Sequence, residues 1–140
     1  MNMLRAARKN AEAEGLGDRA QYREGRAETL AGLEERGFDL VISRDSLHHW
    51  QDPVSAFSSI ARALKPEGRV FISDERRDLG LKERAFLGLV GRLSAGPMFR
   101  YWKTSLAASY TKDEIEGFLV RSELKSCRVE EGFLNLTVTR

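Results

Sequence analysis

FDLVISRDSLHHWQDPVSAFSSIARALKPEGRVFISD, residues 38–74, reads as strand, loop, helix, turn and strand. Phe38 to Ser43 is a short apolar run rich in β-branched residues, too brief for a helix. Apolar side chains at consecutive positions predict burial on both faces, as in a parallel strand covered by helices. Asp52-Pro53 then starts a helix: Asp caps the orphan N–H groups, and Pro suits the first helical position because it has no N–H to leave unpaired. Val54, Phe57, Ile60, Ala61 and Leu64 recur at helical spacing and form one apolar face. Lys65-Pro66-Glu67-Gly68 is expected to end the helix as a turn, Pro being unable to continue it and Gly being free to take positive φ. Val70-Phe71-Ile72 is the second buried strand. The whole is a βαβ unit with a right-handed crossover.

Upstream, residues 1–14 read as a helix with Leu4, Ala7 and Ala11 on one face and Gly15 as its stop. Gly15-Leu16-Gly17-Asp18-Arg19-Ala20 matches the dinucleotide fingerprint G-x-G-x-x-A in letters only. That fingerprint needs a strand before it and a helix after it, whereas here a helix precedes and the strand-like Ala20 to Glu24 follows. Ala31 to Gly37 reads as a short helix.

Downstream, Leu81 to Ala95 is an amphipathic helix built on Phe86, Leu87, Leu89, Val90 and Leu93, broken by Gly96-Pro97. Met98 to Tyr110 is aromatic and irregular, with Met98, Phe99, Tyr101 and Trp102 available for core or oligomer contacts. Thr111-Lys112-Asp113-Glu114 is a capping box ahead of Ile115, Phe118 and Leu119. Ser126 to Glu130 and Leu134 to Thr139 read as two strands joined tightly through Gly132-Phe133.

The 140 residues form one domain, which buries about two-thirds of its unfolded surface. A net charge of +2 and scattered arginines balanced by acids argue against nucleic acid or an anionic membrane as partner. The single Cys127 excludes an internal disulfide, and no apolar run approaches a membrane span of ~20 residues. No secretory signal is visible, so the expected location is cytoplasmic.

Asp39-Leu40-Val41, Ser46-Leu47-His48-His49-Trp50, Leu64-Lys65-Pro66-Glu67-Gly68 and Ile72-Ser73-Asp74 together resemble the central motifs of class I S-adenosylmethionine-dependent methyltransferases, small-molecule branch. The resemblance covers nearly the whole chain. It implies an α/β, Rossmann-like methyltransferase fold, truncated at the N-terminus, with a mostly parallel sheet ending in a C-terminal antiparallel hairpin. It also implies methyl transfer from S-adenosylmethionine to a small-molecule acceptor, and a lid over the substrate formed by the segment after the fifth strand.

Ligands in such sheets bind at the carboxyl ends of the strands, where the strand order reverses. The resemblance implies cofactor contacts from Arg26, Ala27, Ser43, Arg44 and Leu47. The family commonly has Gly-Asp-Ala where this chain has Gly25-Arg26-Ala27, so no carboxylate faces the adenine amine there. His48, Trp50 and Asp74 are expected to border the acceptor, with His49 as the candidate base because its ordinary pKa lies near neutrality. Asp74 and Glu75 are alternative carboxylate bases. Hydrogen bonding of both histidines to backbone is the structural alternative. No metal is expected: adjacent histidines do not readily aim at one ion, and no further ligand cluster stands near.

The family's glycine-rich loop and ribose-binding acid have no counterpart, as if the chain began about 45–50 residues into the pattern, the length of two such elements. Family strand order (3-2-1-4-5-7-6) then leaves residues 38–43 at an apolar edge. Two expectations follow: weak or absent S-adenosylmethionine binding, and either a homodimer through that edge or closure of residues 20–24 onto it. The rival to an enzyme is a non-catalytic remnant or partner subunit acting through protein contacts.

Overall fold

The parallel pair expected from residues 38–74 is the framework of the molecule. In the computed structural model, which describes residues 3–94 and 98–140, β1 (Phe38–Arg44) pairs in parallel with β2 (Leu64–Glu75). The helix between them, α2 (Pro53–Ala63), starts as its sequence dictates. The Asp52 carboxylate accepts the Ser55 amide at 3.1 Å and Pro53 fills the first position. The other α-helices and strands are α1 (Met3–Ala13), α3 (Leu81–Ser94), α4 (Met98–Ala108), α5 (Lys112–Val120), β3 (Arg128–Glu131) and β4 (Asn135–Thr139), with 3-10 turns at Gly17–Arg19 and Leu47–His49. Sheet order is β1-β2-β4-β3, with β4 antiparallel to both neighbours. This is the end of the family sheet, with the last strand inserted antiparallel beside β2.

One face of the sheet carries the core. Phe57 and Ile60 of α2, Ile115 and Leu119 of α5, and Val70 and Ile72 of β2 belong to one buried cluster. The capping box at Thr111 is complete, the hydroxyl accepting from the Glu114 amide and Glu114 accepting from the Thr111 amide. Gly15 ends α1 at φ +68°, the left-handed conformation that a C-terminal glycine supplies.

The opposite face differs from the expectation of two-sided burial. Phe38, Leu40 and Ile42 of β1 and Phe71 of β2 are all exposed, Ile42 at 65%. Consecutive apolar residues do mark a strand fit for covering on both sides, but among the described residues only one side is covered. The outer edge of β1 likewise has no strand partner among them.

Several local expectations are corrected. Residues 20–24 are not a strand: Ala20 is extended, but a strand needs a ladder partner and β1 does not pair with this segment. Residues 31–37 form turns rather than a helix: Leu30, Gly32 and Arg36 take φ of +43°, +76° and +54° and break any helical run. The aromatic 98–110 segment is largely the helix α4. The Gly96-Pro97 break lies outside the described residues, as do the side chains of Leu93, Met98 and Phe99.

Lys65 to Gly68 is not a free turn but a bulge inside β2. Phe38 faces Leu64 and Leu40 faces Arg69, so the β2 strand accommodates extra residues between two pairings. Gly68 serves here by its size and not by positive φ. A Cβ at this position would lie 2.9 Å from the Phe38 carbonyl oxygen and 3.0 Å from that of Lys65. Backbone on both sides cannot yield cheaply, so Gly68→Ala is expected to lower stability by about 1–3 kcal/mol in urea unfolding. An unchanged midpoint would show that the bulge relaxes freely.

Candidate active site

β1 delivers the chain to the carboxyl end of the sheet, where a sharp turn redirects it. Asp45 takes φ +50°, a conformation Asp tolerates better than most residues, while its amide still bonds the Ser73 carbonyl at 2.9 Å. Leu47 then drops into the core, 1% exposed, at the start of the 3-10 turn Leu47–His49. That anchor places His48 over the end of β2.

There the His48 amide donates to Asp74 Oδ2 at 3.0 Å, and the His48 Nδ1 to Asp74 Oδ1 distance is 2.7 Å. The Glu75 amide also donates to Asp74 Oδ1, at 2.7 Å. The two side chains are 3% and 2% exposed, so the pair is sealed from solvent. An ionised carboxylate only accepts, which puts the proton of a neutral ring on Nδ1 and leaves Nε2 as a lone-pair acceptor. His48 Nε2 is buried and has no hydrogen-bond partner among the described residues.

Glu75 Oε2 is in the same condition. Burial pushes the Glu75 carboxyl up from its ordinary value of 4.5, against a hydrogen bond from Trp102 that favours the anion. His48, Asp74 and Glu75 each offer an atom within 4.8 Å of the others, a spacing a cation could draw together. Asp74 accepts three hydrogen bonds, which fix its own position and that of the His48 ring.

A slot lies beside this buried cluster, against the same loop. It measures about 310 Å³ and is lined by Arg26, Ala27, Leu30, Ile42, Ser43 and Trp50, with Glu24 at its wall. Trp50 packs edge-on to Phe57 at 5.6 Å and its Nε1 donates to Ser46 Oγ, which lies 3.2 Å from Ser43 Oγ. Arg26 is tied to the loop, donating to Gln51 Oε1 at 2.6 Å and pairing with Glu28 at 3.4 Å.

Of the residues singled out from sequence, Arg26, Ala27, Ser43 and Trp50 meet in the slot, and His48 and Asp74 meet beside it. Arg44 does not join them: its side chain is 79% exposed and pairs with Asp45. Leu47 contributes its side chain to the core instead. His49 is exposed, its ring 4.0 Å from that of His48. Sequence reasoning places Trp102 in a segment available for core, oligomer or lid contacts but gives no link to Glu75, and nothing in the letters around Glu24 marks it for the slot.

This fold, with the buried His48–Asp74 pair and the slot beside it at the strand ends, is that of a class I S-adenosylmethionine-dependent methyltransferase-like domain. Residues 1–72 match the family model described as "Methyltransferase domain", and the chain belongs to that family. Over 73 residues it is 41% identical to the uncharacterized protein YafE of Escherichia coli (strain K12), covering 52% of this chain and 34% of that one. Over 75 residues it is 39% identical to a ubiquinone biosynthesis O-methyltransferase of Paracidovorax citrulli (strain AAC00-1), covering 54% and 31%. The chain therefore spans about a third of the length of these curated relatives.

Solved structures agree on the fold. A SAM-dependent methyltransferase from Aquifex aeolicus superposes with a TM-score of 0.64 at 17% identity, over 98% of this chain and 62% of that one. The trans-methyltransferase CalH in complex with SAH gives 0.62 at 18%, over 93% and 38%.

The raised Glu75 carboxyl has a signed consequence. The folded state holds that proton more tightly than the unfolded chain, so this group lowers stability as pH rises from 4.5 through its folded value. Glu75→Gln removes the effect. Urea midpoints of wild type relative to Glu75→Gln are expected to fall between pH 4.5 and 7, and a relative rise would contradict a desolvated Glu75.

Proposed function

We propose that this chain carries a methyl-transfer site in which His48 is the general base for a small-molecule acceptor. The observation that supports it best is the His48–Asp74 pair, sealed from solvent, with an acceptor nitrogen left unpartnered at the strand ends. The residues of the slot fit an adenosine group. Ala27, Leu30, Ile42 and Trp50 offer apolar surface to a flat ring, and Ser43 and Glu24 offer polar atoms at its border. When bound there, S-adenosylmethionine supplies a methyl group on a cationic sulfonium.

The protein's own part is positioning and proton transfer. His48 Nε2 takes the proton of the acceptor hydroxyl, and Asp74 holds the ring in the tautomer that permits it and stabilises the imidazolium that forms. Helix α4 lies against the 47–49 turn, so it screens this step from water. The name of the Paracidovorax relative favours an oxygen acceptor. Trp50, His48 and Asp74 are the acceptor-side residues of this reading; Arg26, Ala27 and Ser43 are its cofactor-side residues.

Cofactor affinity is expected to be weak. Arg26 stands where the family has a carboxylate and is already engaged with Gln51 and Glu28. The chain's location in this reading is the cytoplasm, and a second copy is the partner expected at β1. There Phe38, Leu40 and Ile42 lie exposed beside an unpaired strand edge. Among the described residues no helix is long and apolar enough to cross a membrane.

The kinetic test measures S-adenosylhomocysteine formation with a panel of phenols. His48→Gln is expected to lower kcat about 10²–10⁴-fold, the range of a general base, with calorimetric S-adenosylhomocysteine affinity unchanged. Loss of the same size in His49→Gln, with His48→Gln near wild type, would move the base to His49. Absence of S-adenosylhomocysteine binding would favour the partner-subunit alternative. For association, light scattering is expected to give twice 15.8 kDa for wild type and a monomer for Ile42→Lys. A monomeric wild type would contradict pairing at β1.

A further inference from the structure

The side of the sheet away from α2 and α5 is open and has a chemistry of its own. Register across the strands puts Leu40 beside Arg69, Ile42 beside Phe71, Phe71 beside Thr139 and Thr139 beside Arg128. Residues opposite one another in a sheet project to the same side, so these side chains share one face. Leu40, Ile42 and Phe71 are 49%, 65% and 42% exposed there. Arg69 and Arg128 are exposed too, and among the described residues neither guanidinium has a hydrogen-bond or ion-pair partner. The carboxylates of this face lie toward its other end: Glu75 takes a bond from Trp102, and Glu130 faces Thr137 rather than Thr139. A contiguous apolar patch rimmed by unpaired cations marks an interaction surface.

We propose that this open face docks an acidic amphipathic helix of another protein, its apolar stripe on Leu40, Ile42 and Phe71 and its carboxylates on Arg69 and Arg128. The dimensions fit. A helix is about 10–12 Å across and strands are spaced about 4.8 Å, so a helix over β1 and β2 brings its flank within reach of Arg128, two strands from Phe71. Charge selects the partner: two unpaired cations attract a glutamate-flanked helix and repel a lysine-flanked one. Aliphatic Leu40 and Ile42 beside a central ring favour a helix over single-stranded nucleic acid, which stacks successive bases on several aromatic rings. The inference does not depend on methyl transfer. It is also separate from the strand edge offered to a second copy, because edge pairing runs in the plane of the sheet and this face looks out of it.

The experiment uses the whole 140-residue chain and a fluorescent helical peptide with Leu at i, i+3, i+4 and i+7 and Glu on both flanks. Its comparators are a scrambled peptide of the same composition, a twin with Lys for each Glu, and oligothymidylate. In anisotropy titrations at fixed salt, the Glu peptide is expected to bind at least about tenfold more tightly than the scramble or the Lys twin. Phe71→Ser is expected to weaken the Glu peptide by about tenfold or more with circular dichroism unchanged. Arg69→Gln/Arg128→Gln is expected to erase the preference over the Lys twin while leaving apolar binding. These variants avoid Ile42, which also borders the slot. Equal binding of the Glu and Lys peptides to wild type, or indifference of the Glu peptide to Phe71→Ser, would overturn the proposal. Tighter binding of oligothymidylate than of the Glu peptide would assign the face to nucleic acid and overturn it equally. Light scattering of the complex keeps face and edge apart. A peptide that binds without changing the oligomeric state supports separate surfaces, and one that dissociates a dimer refutes them.

Discussion

A single buried carboxylate sets the geometry of the functional end of this molecule. Asp74, 2% exposed at the penultimate position of β2, accepts the His48 amide, the His48 ring and the Glu75 amide. A charge in so dry a place is tolerable only when its lone pairs are filled, and each donor left unsatisfied would cost about 1–3 kcal/mol. The bonds therefore hold one another in place. They fasten the loop after β1 to the end of β2, and that loop walls the slot on one side and holds the buried His48 ring on the other.

The scaffold explains why this carboxylate can be so well fixed. β2 is flanked by β1 on one side and β4 on the other, and it carries Val70, Ile72 and Asp74 on the face covered by α2 and α5. A site built at the end of a central strand inherits the strand's rigidity. The edge and the opposite face of β1 are the contrast. Their apolar residues have the composition of a covered strand, and in the described residues they meet solvent. The buried polar pair and the exposed apolar edge thus lie on different parts of the same parallel pair.

Much of this was legible in the letters. The Asp52-Pro53 start, the capping box at Thr111, the βαβ order and the terminal hairpin all follow from local signals strong enough to survive any tertiary context. Residues 20–24 and 31–37 did not read correctly because their fate depends on partners: a run without a ladder partner is not a strand, and three residues at positive φ override a weak helical pattern. Gly68 was legible as a glycine position for the wrong reason, since the close approach of two backbones is a tertiary fact. Within the site, the choice between His48 and His49 was beyond the sequence. The two rings lie side by side, 4.0 Å apart, and it is the position of the chain beside the buried Leu47 and Asp74 that leaves one ring buried and the other exposed. Glu75 and Trp102 meet because α4 crosses the sheet end, which no spacing within either segment encodes.

The claim that Asp74 orients His48 with Nε2 free is most directly tested by long-range 15N–1H correlation of the His48 ring at pH 8.5, where an ordinary imidazole is neutral. The structure predicts a protonated Nδ1 and a bare Nε2, with the pattern disturbed in Asp74→Ala. A ring carrying its proton on Nε2 in the wild type would mean that the carboxylate does not set the tautomer, and the assignment of His48 as base would fall with it.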